Sequence, residues 1–206
     1  MVNHSDLEKT FKTKKVLVTG HTGFKGAWLI NILNSLGAEI KGIGLKPKSK
    51  KDIYYASNCK NKCDSIILDI RNKEKLKERV LDFKPNFIFH LAAQPLVIDS
   101  YKDPDNTFST NITGTINLLE TIRCFQHKCT VIMVTTDKVY ENKNWDYPYR
   151  EIDNLGGHDP YSASKAAMEL IISSYNNSFF KSNLTNTIGL ASVRAGNVIG
   201  GGDYSK

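Results

Sequence analysis

Tyr161 and Lys165 stand four residues apart in a stretch with helical spacing, which sets a phenol and an ammonium on one helix face. A phenol with a pKa near 10 is a poor base at neutral pH. Lowering it by about three units takes roughly 4 kcal/mol from nearby positive charge, and Lys165 is one source of that charge. A pair at this spacing also arises in helices that only fold, so a second cluster decides the matter. Thr135-Thr136-Asp137-Lys138 closes a β-branched run, and open parallel sheets place their ligands at the carboxyl ends of strands. A hydroxyl, a carboxylate and an amine there would face the phenol across one crevice, the arrangement proton transfer requires. Two readings of Lys138 stay open: a base, which needs depression by burial or neighbouring cations, and an ion pair with Asp137 or Glu141.

The third chemical feature is the run Thr19-Gly20-His21-Thr22-Gly23-Phe24-Lys25-Gly26, which follows Val16-Leu17-Val18 and opens a helix-patterned stretch. Glycines there let a backbone approach a pyrophosphate, whose charge the free amides at the helix start then stabilise. His21 and Thr22 separate the first two glycines, a departure from G-x-G-x-x-G. The second predicted strand ends in Leu45-Lys46, without the acidic residue that anchors the ribose of NAD. The residues alone therefore leave NAD and NADP open, with Lys46 able to meet a phosphate.

These segments need a scaffold, and the hydrophobic pattern supplies one. Strands are expected at Lys15 to Thr19, Glu39 to Leu45, Ser65 to Leu68, Phe87 to Leu91, Thr130 to Thr135 and Gly189 to Arg194. Helices are expected over Gly23 to Leu36, Asn72 to Phe83, Thr107 to Phe125 and Pro160 to Phe179, where apolar residues recur at three- and four-residue steps. Asp159-Pro160 marks a helix start, and Lys84-Pro85-Asn86 a turn. Alternating strands and helices predict an α/β fold, a doubly wound parallel sheet of Rossmann type, in one domain spanning 1–206 with a core at 14–200. Glu141 to Asp159, with its aromatics and Gly156-Gly157, reads as an ordered loop near a site.

Composition narrows the function classes. The 206 residues are 40% hydrophobic and 24% charged, an ordinary globular balance, and the net charge of +7 is spread along the chain. The densest basic run, Lys46 to Lys51, lacks the interleaved aromatics of nucleic-acid binders, so no nucleic-acid partner is expected. Met1 to Lys15 is polar and no stretch reaches spanning length, which predicts neither signal peptide nor membrane partner. Cys59, Cys63, Cys124 and Cys129 have neither zinc-site spacing nor a secretory context. Reduced thiols, a cytoplasmic location and no metal are the expectation.

Five segments together resemble one family: Thr19 to Gly26, His90 to Val97, Thr135 to Asn142, Leu155 to Ser162 and Arg194 to Asp203. They resemble the CDP-glucose 4,6-dehydratases, within the extended short-chain dehydrogenase/reductase superfamily, whose loop is T-G-x-x-G-x-x-G. In the superfamily's sugar-nucleotide epimerases the position of Asp137 is usually not acidic. In dTDP- and GDP-sugar dehydratases a glutamate usually stands at the position of Lys138. The Asp-Lys pair thus sets this family apart from an epimerase or reductase built on the same Tyr-Lys pair, while a noncatalytic dinucleotide-binding remnant remains a third reading.

The resemblance implies NAD as cofactor and CDP-glucose as substrate. Tyr161, helped by Thr136, would take the 4-hydroxyl proton as hydride leaves carbon 4 for NAD. Asp137 would protonate the departing 6-hydroxyl, Lys138 would assist at carbon 5, and hydride would return to carbon 6. It also implies cofactor contacts: Gly20, Gly23 and Gly26 at the pyrophosphate, with Thr22 and Phe24 in that loop, and Asp69 and Ile70 at the adenine. Leu91, Ala92, Ala93 and Gln94, the last three beside the ribose, Thr135, and Tyr161 and Lys165 at the nicotinamide ribose complete the set. Gln94, Thr136 and Asn197 would touch the sugar nucleotide. Ile98-Asp99 stands where the family commonly has basic residues, and Val139 where it often has cysteine. The family's chains continue past Gly200-Gly201-Gly202-Asp203 into a domain that grips the nucleotide, so weak or no turnover by these 206 residues alone is expected. Thr107 to Phe125 and Pro160 to Phe179 resemble the helices that pair in superfamily dimers, which implies a homodimer or higher homo-oligomer.

Overall fold

The computed structural model describes residues 3–47, 49–181 and 187–203; Lys48 of the basic run and the terminal Lys206 lie outside them. In chain order, α1 (His4–Phe11), β1 (Lys15–Thr19), α2 (Phe24–Ser35), β2 (Glu39–Gly44), α3 (Ile53–Ala56), β3 (Asp64–Ile67), α4 (Lys73–Phe83) and β4 (Phe87–His90) form the first half. The second contains α5 (Val97–Lys102), α6 (Pro104–Phe108), α7 (Gly114–Ile122), β5 (Cys129–Thr136), α8 (Pro160–Tyr175) and β6 (Ile188–Ala195). The strands make one parallel sheet in the order β3-β2-β1-β4-β5-β6. The order reverses between β1 and β4, and a doubly wound sheet opens its ligand crevice at that point.

Alternation along β1 shows how the layers form. Val16 and Val18 join a core with Ala27, Ile30 and Leu33 of α2, whereas Leu17 faces the opposite core with Leu76 and Val80 of α4, Leu118 and Ile122 of α7, and Met168 of α8. Both faces of β1 are thus buried, as a parallel sheet with helices on each side requires.

All six expected strands form, each within about two residues of its expected ends. Asp159 caps α8 by accepting from the Ser162 amide at 2.9 Å, with Pro160 in the first turn. The expected helix Thr107 to Phe125 departs from a single rod. It begins at Pro104, capped by Asp103, and passes through a π-helical turn at Ser109–Thr113 before α7. A second π turn, Asn176–Phe180, ends the stretch expected to be helical to Phe179. One wider turn leaves the three- and four-residue apolar spacing nearly intact, which is why the pattern conceals it. Helix α1, with a reciprocal cap between Asn3 and Asp6, was not expected, because its apolar face is only Leu7 and Phe11; Phe11 packs on Phe87 and Phe89, and no residue of the helix is fully buried.

Glu141 to Asp159 is ordered as expected. Tyr140 bridges Leu155, the Glu141 amide donates to Asn154 at 2.9 Å, and the Gly156 amide donates to Val139 at 2.8 Å. A Cβ on Gly157 would lie 2.3 Å from the Ala163 amide nitrogen, so this loop closes directly onto the first turn of α8. The four cysteines are unpaired, and burial pushes the Cys63 and Cys129 thiols up to about 12. Among the described residues no helix is long and apolar enough to cross a membrane.

Candidate active site

The glycine loop joins β1 to α2 at the switch point. Gly20 has φ +75°, and a Cβ there would come within 2.7 Å of the Ala92 nitrogen. A Cβ on Gly26 would lie 2.2 Å from the Gly20 carbonyl oxygen. Gly23 differs: its Cβ would meet only that same oxygen, at 3.4 Å. The Gly23 amide donates to Gly20 and the Ala27 amide to Gly23, so the amides of Phe24, Lys25 and Gly26 have no acceptor among the described residues. Three free donors at the start of a 12-residue helix, beside a loop too tight for side chains, fit the pyrophosphate of a dinucleotide. Thr22 turns away and donates to the Leu45 carbonyl at 2.8 Å, pinning the loop to the end of β2.

The extra loop residue has a structural explanation. His21 is fully buried against Gly42, where a Cβ would approach its ring to 2.4 Å, and its Nε2 meets Ser65 Oγ at 2.7 Å. The side chain thus lies under β2, out of the loop. Burial lowers its pKa, against the opposing effect of the Ile43 backbone. The sequence signal for this was Gly42 and Gly44, two β-strand glycines that make room for a ring.

The end of β4 is set by a relay that sequence reasoning missed. Thr19 Oγ1 lies 2.7 Å from His90 Nδ1, and His90 Nε2 lies 3.1 Å from Thr115 Oγ1. Thr115 donates to the Asn111 carbonyl at 2.6 Å, so it accepts from His90, which fixes the proton on Nε2. Burial, with Lys165 nearby, lowers the His90 pKa to about 3, and the ring is neutral. Thr19 also accepts from the Ala92 amide at 3.2 Å, which ties the 91–94 turn to the glycine loop. Asn111, inside the π turn, exchanges hydrogen bonds with the Gln94 backbone at 2.8 and 3.2 Å and donates to Ser164 Oγ at 2.8 Å. The Gln94 side chain donates to Thr107 and Leu96, so it braces its own turn. The backbone of the 91–94 turn is thus placed against the glycine loop and the π turn by buried polar groups.

Across the crevice, Tyr161 is buried, with the Thr136 hydroxyl and the Asp137 carboxylate near enough to act on its phenol; Thr136 itself donates to Asp137 at 3.2 Å. Burial raises the phenol pKa, Thr136 lowers it, and Asp137 and Asp159 raise it; the net direction is upward. The expected activation is therefore not supplied by the side chains around the phenol. Lys165, 4% exposed, donates to the Val134 carbonyl at 3.2 Å. Burial, then the Lys25 ammonium, depress it to about 7 against the pull of Glu169. Asp137 and Lys138 are exposed at the crevice rim, on a 3-10 turn begun by Thr136. Glu141 pairs with Lys143 at 2.6 Å, and Lys138 makes no ion pair among the described residues, so the ion-pair reading of Lys138 is not realised. A cavity of about 1160 Å³ opens beside them, walled by Asp137, Lys138, Tyr140, His158, Ser192 and Arg194.

Three expected site residues have their side chains engaged elsewhere, and a fourth, Asn197, is exposed. The Asp69 carboxylate is wrapped by Arg71, at 2.6 Å to Nη2, and Arg71 continues to Asn106 and Ser109. Ile70 is 3% exposed and packs where a Cβ on Gly114 would be, so its side chain belongs to the core. The Thr135 hydroxyl donates to Glu169 and lies 3.3 Å from the Val193 carbonyl. Asn197 is exposed beyond β6, on a segment that reaches back to α2, where Trp28 donates to the Gly201 carbonyl at 3.1 Å.

The strand order and the cradle at the β1–α2 junction define a doubly wound α/β protein of Rossmann type. The family model described as GDP-mannose 4,6 dehydratase matches residues 17–192, and the chain belongs to that family. It is 46% identical over 203 residues to the CDP-glucose 4,6-dehydratase of Salmonella typhimurium, covering 97% of this chain and 56% of that enzyme. It is 30% identical over 178 residues to the CDP-paratose 2-epimerase of Salmonella typhi, covering 78% of this chain and 52% of the relative. The chain thus spans about half the length of these curated relatives. Among solved structures, the UDP-glucose 4-epimerase of Thermus thermophilus in complex with NAD superposes with a TM-score of 0.72 at 27% identity, over 87% of this chain and 54% of that one.

Proposed function

We propose that this chain is the dinucleotide-binding and catalytic part of a CDP-glucose 4,6-dehydratase that uses NAD. The observation that carries the reading is the meeting of Tyr161 with Thr136 and Asp137 at the end of β5, on α8 one turn before the buried Lys165. The likeness to the Salmonella typhimurium enzyme supports the choice of substrate. The NAD complex among the structural neighbours supports the cofactor.

NAD, held by the glycine loop, would supply a hydride acceptor and a positive charge. The chain's own residues do the rest. The free amides of α2 and the tight glycines hold the pyrophosphate. Tyr161 takes the proton of the sugar 4-hydroxyl, with Thr136 relaying and orienting it. Once carbon 4 is a ketone, the proton on carbon 5 is acidic, and Lys138 at the crevice rim would assist there, although its exposure does not supply the burial that a base at that position needs. Asp137 would give a proton to the departing 6-hydroxyl, and the hydride removed from carbon 4 would return to carbon 6 as carbon 5 regains a proton. Asn197 would meet the sugar nucleotide from the segment that follows β6. The roles of Asp69, Ile70 and Thr135 are carried by their backbone, since their side chains are committed to Arg71, Gly114 and Glu169.

The test is an NAD titration followed by a CDP-glucose reaction, with product analysis for a 4-keto-6-deoxy sugar. Dinucleotide binding with water loss supports the reading; epimerisation without water loss, or a clear preference for NADP, overturns it. A homodimer or higher homo-oligomer belongs to the same proposal, supported by the exposed Ile98, Tyr101 and Phe108 on α5 and α6 beside α8. So does a cytoplasmic location, which the four unpaired cysteines fit.

A further inference from the structure

Glu169 is a buried carboxylate, 5% exposed, that the proposed chemistry does not use. It lies one helical turn beyond Lys165 on α8. Burial pushes its pKa up, but hydrogen bonds from Arg194, Thr135 and Ser192 together outweigh that and hold it ionised. Its main partner is Arg194 of β6, with Nε at 3.2 Å from Oε1 and Nη2 at 3.4 Å from Oε2.

The same guanidinium reaches in the other direction. Nη1 donates to the Tyr140 hydroxyl at 3.0 Å and to the Glu151 carbonyl at 3.1 Å, while its carbon sits 4.9 Å from the Tyr140 ring centroid. Tyr140 in turn stacks on Tyr149 at 5.1 Å and 13°. Arg194 therefore joins three elements: α8, β6 and the loop 140–156. That loop begins immediately after Asp137-Lys138-Val139 and ends on the first turn of α8 at Gly157. Both catalytic segments are its anchor points.

We propose that Arg194 is a positioning residue: by clamping Glu169 to Tyr140 and Glu151, it fixes how Asp137 and Lys138 stand relative to Tyr161. The catalytic consequence rests on the function proposed above, whereas the clamp itself does not. A planar fork that donates to two partners in opposite directions and stacks on a ring is specific to arginine; a lysine keeps the charge and loses both features. A residue acting only as core filler would loosen the whole domain when altered. A clamp would loosen the loop alone.

The experiment uses Arg194→Lys and Glu169→Gln, with Ile172→Val as a control that trims the core on the same helix. Hydrogen exchange is read peptide by peptide. In both clamp variants, exchange over residues 138–156 is expected to rise about tenfold or more, with β1 and α2 unchanged, since local opening is separable from global unfolding. NAD affinity should stay within about twofold, and where CDP-glucose turns over, kcat should fall ~30-fold or more with KM shifting less than ~3-fold. Loop exchange equal to that of the unaltered protein overturns the proposal. So does a rise spread over the whole domain, or an equal loop effect from Ile172→Val. If the unaltered protein neither binds NAD nor turns over CDP-glucose, the functional reading fails, and loop exchange still decides the clamp.

Discussion

The two halves of the crevice are built by opposite means. On the glycine-loop side, β1, α2 and β2 place backbone atoms, and what matters is what is missing: side chains at Gly20 and Gly26, and acceptors for three amides. On the β5–α8–β6 side, placement depends on buried charge, with Lys165, Glu169 and Arg194 set among Thr135, Ser192 and Tyr140. In the proposed function the first half would bind an anion with fixed dipoles, which need no titratable group. The second would move protons, and it keeps Lys165 and Glu169 out of water, where neighbours control them. A backbone cradle fails by steric intrusion, whereas a charge network fails by loss of a partner.

Tyr161→Phe is expected to give the largest separation between the halves. It removes the base and leaves the cradle intact, so turnover should fall on the order of 10³-fold while NAD affinity stays within about threefold. Parallel rate and NAD-binding measurements check this; loss of both together would mean that the halves are not independent. Gly26→Ala is the converse. Its Cβ must displace the Gly20 carbonyl, which is backbone on the opposite side of the loop. NAD affinity should drop ~100-fold, with a destabilisation of roughly 2–3 kcal/mol, because backbone cannot give way as a side chain does. Calorimetric titration and thermal unfolding would register both.

The charged half makes a prediction about pH. Burial puts Lys165 at about 7 in the folded chain against 10.5 for a free lysine. Between those values the unfolded chain holds a proton that the folded chain has released, so this group makes stability rise as pH rises through the window. Below it, the buried ammonium is a burden. Lys165→Met should therefore stabilise the protein at pH 6 by ~3 kcal/mol and flatten the rise between pH 7 and 10. Denaturant unfolding of both proteins at pH 6 and pH 9 decides it; an unchanged slope in the variant would locate the linkage elsewhere.

The same contrast explains what could be read from the sequence. The cradle is local, with glycines, a flanking strand and a flanking helix all inside Val16 to Leu36, so the motif displays its own geometry. Strand β1 was legible because burial on both faces favours a continuous β-branched run, whereas the edge strands β3 and β6 contain no fully buried residue and were legible only as short apolar runs. Tyr161, Lys165 and the 135–138 segment could be named, but not their surroundings. Thr135 was expected at the cofactor, yet its hydroxyl goes to Glu169, a partner 34 positions away that no spacing rule connects to it. Arg194 reaches Glu169 across 25 positions and Tyr140 across 54. Asn111 was hidden for a different reason: it sits on a π turn, whose extra residue barely disturbs apolar periodicity, and its partners Gln94 and Ser164 come from two other segments. Asp69 and Ile70 stood where an adenine contact was expected, and packing against Arg71 and Gly114 claimed their side chains.

The smallest expected effect is also the sharpest test of the cradle. Gly20, Gly23 and Gly26 look equivalent in the motif, but the structure separates them. Gly23 has ordinary negative φ as the N-cap of α2, and its added Cβ would meet a single oxygen at 3.4 Å, an ordinary contact distance. The chain itself therefore has no steric need for glycine at that position. Gly23→Ala should change stability by no more than ~0.5 kcal/mol, in either direction, since alanine also lowers the entropy of the unfolded chain. Any loss it causes should then appear only when a dinucleotide approaches the loop. A drop in NAD affinity of ~10-fold with unchanged unfolding would show that Gly23 is required by the ligand, while Gly20 and Gly26 are required by the fold. Equal affinity in the variant would put the pyrophosphate closer to Gly20 and the 91–94 turn than to the first turn of α2.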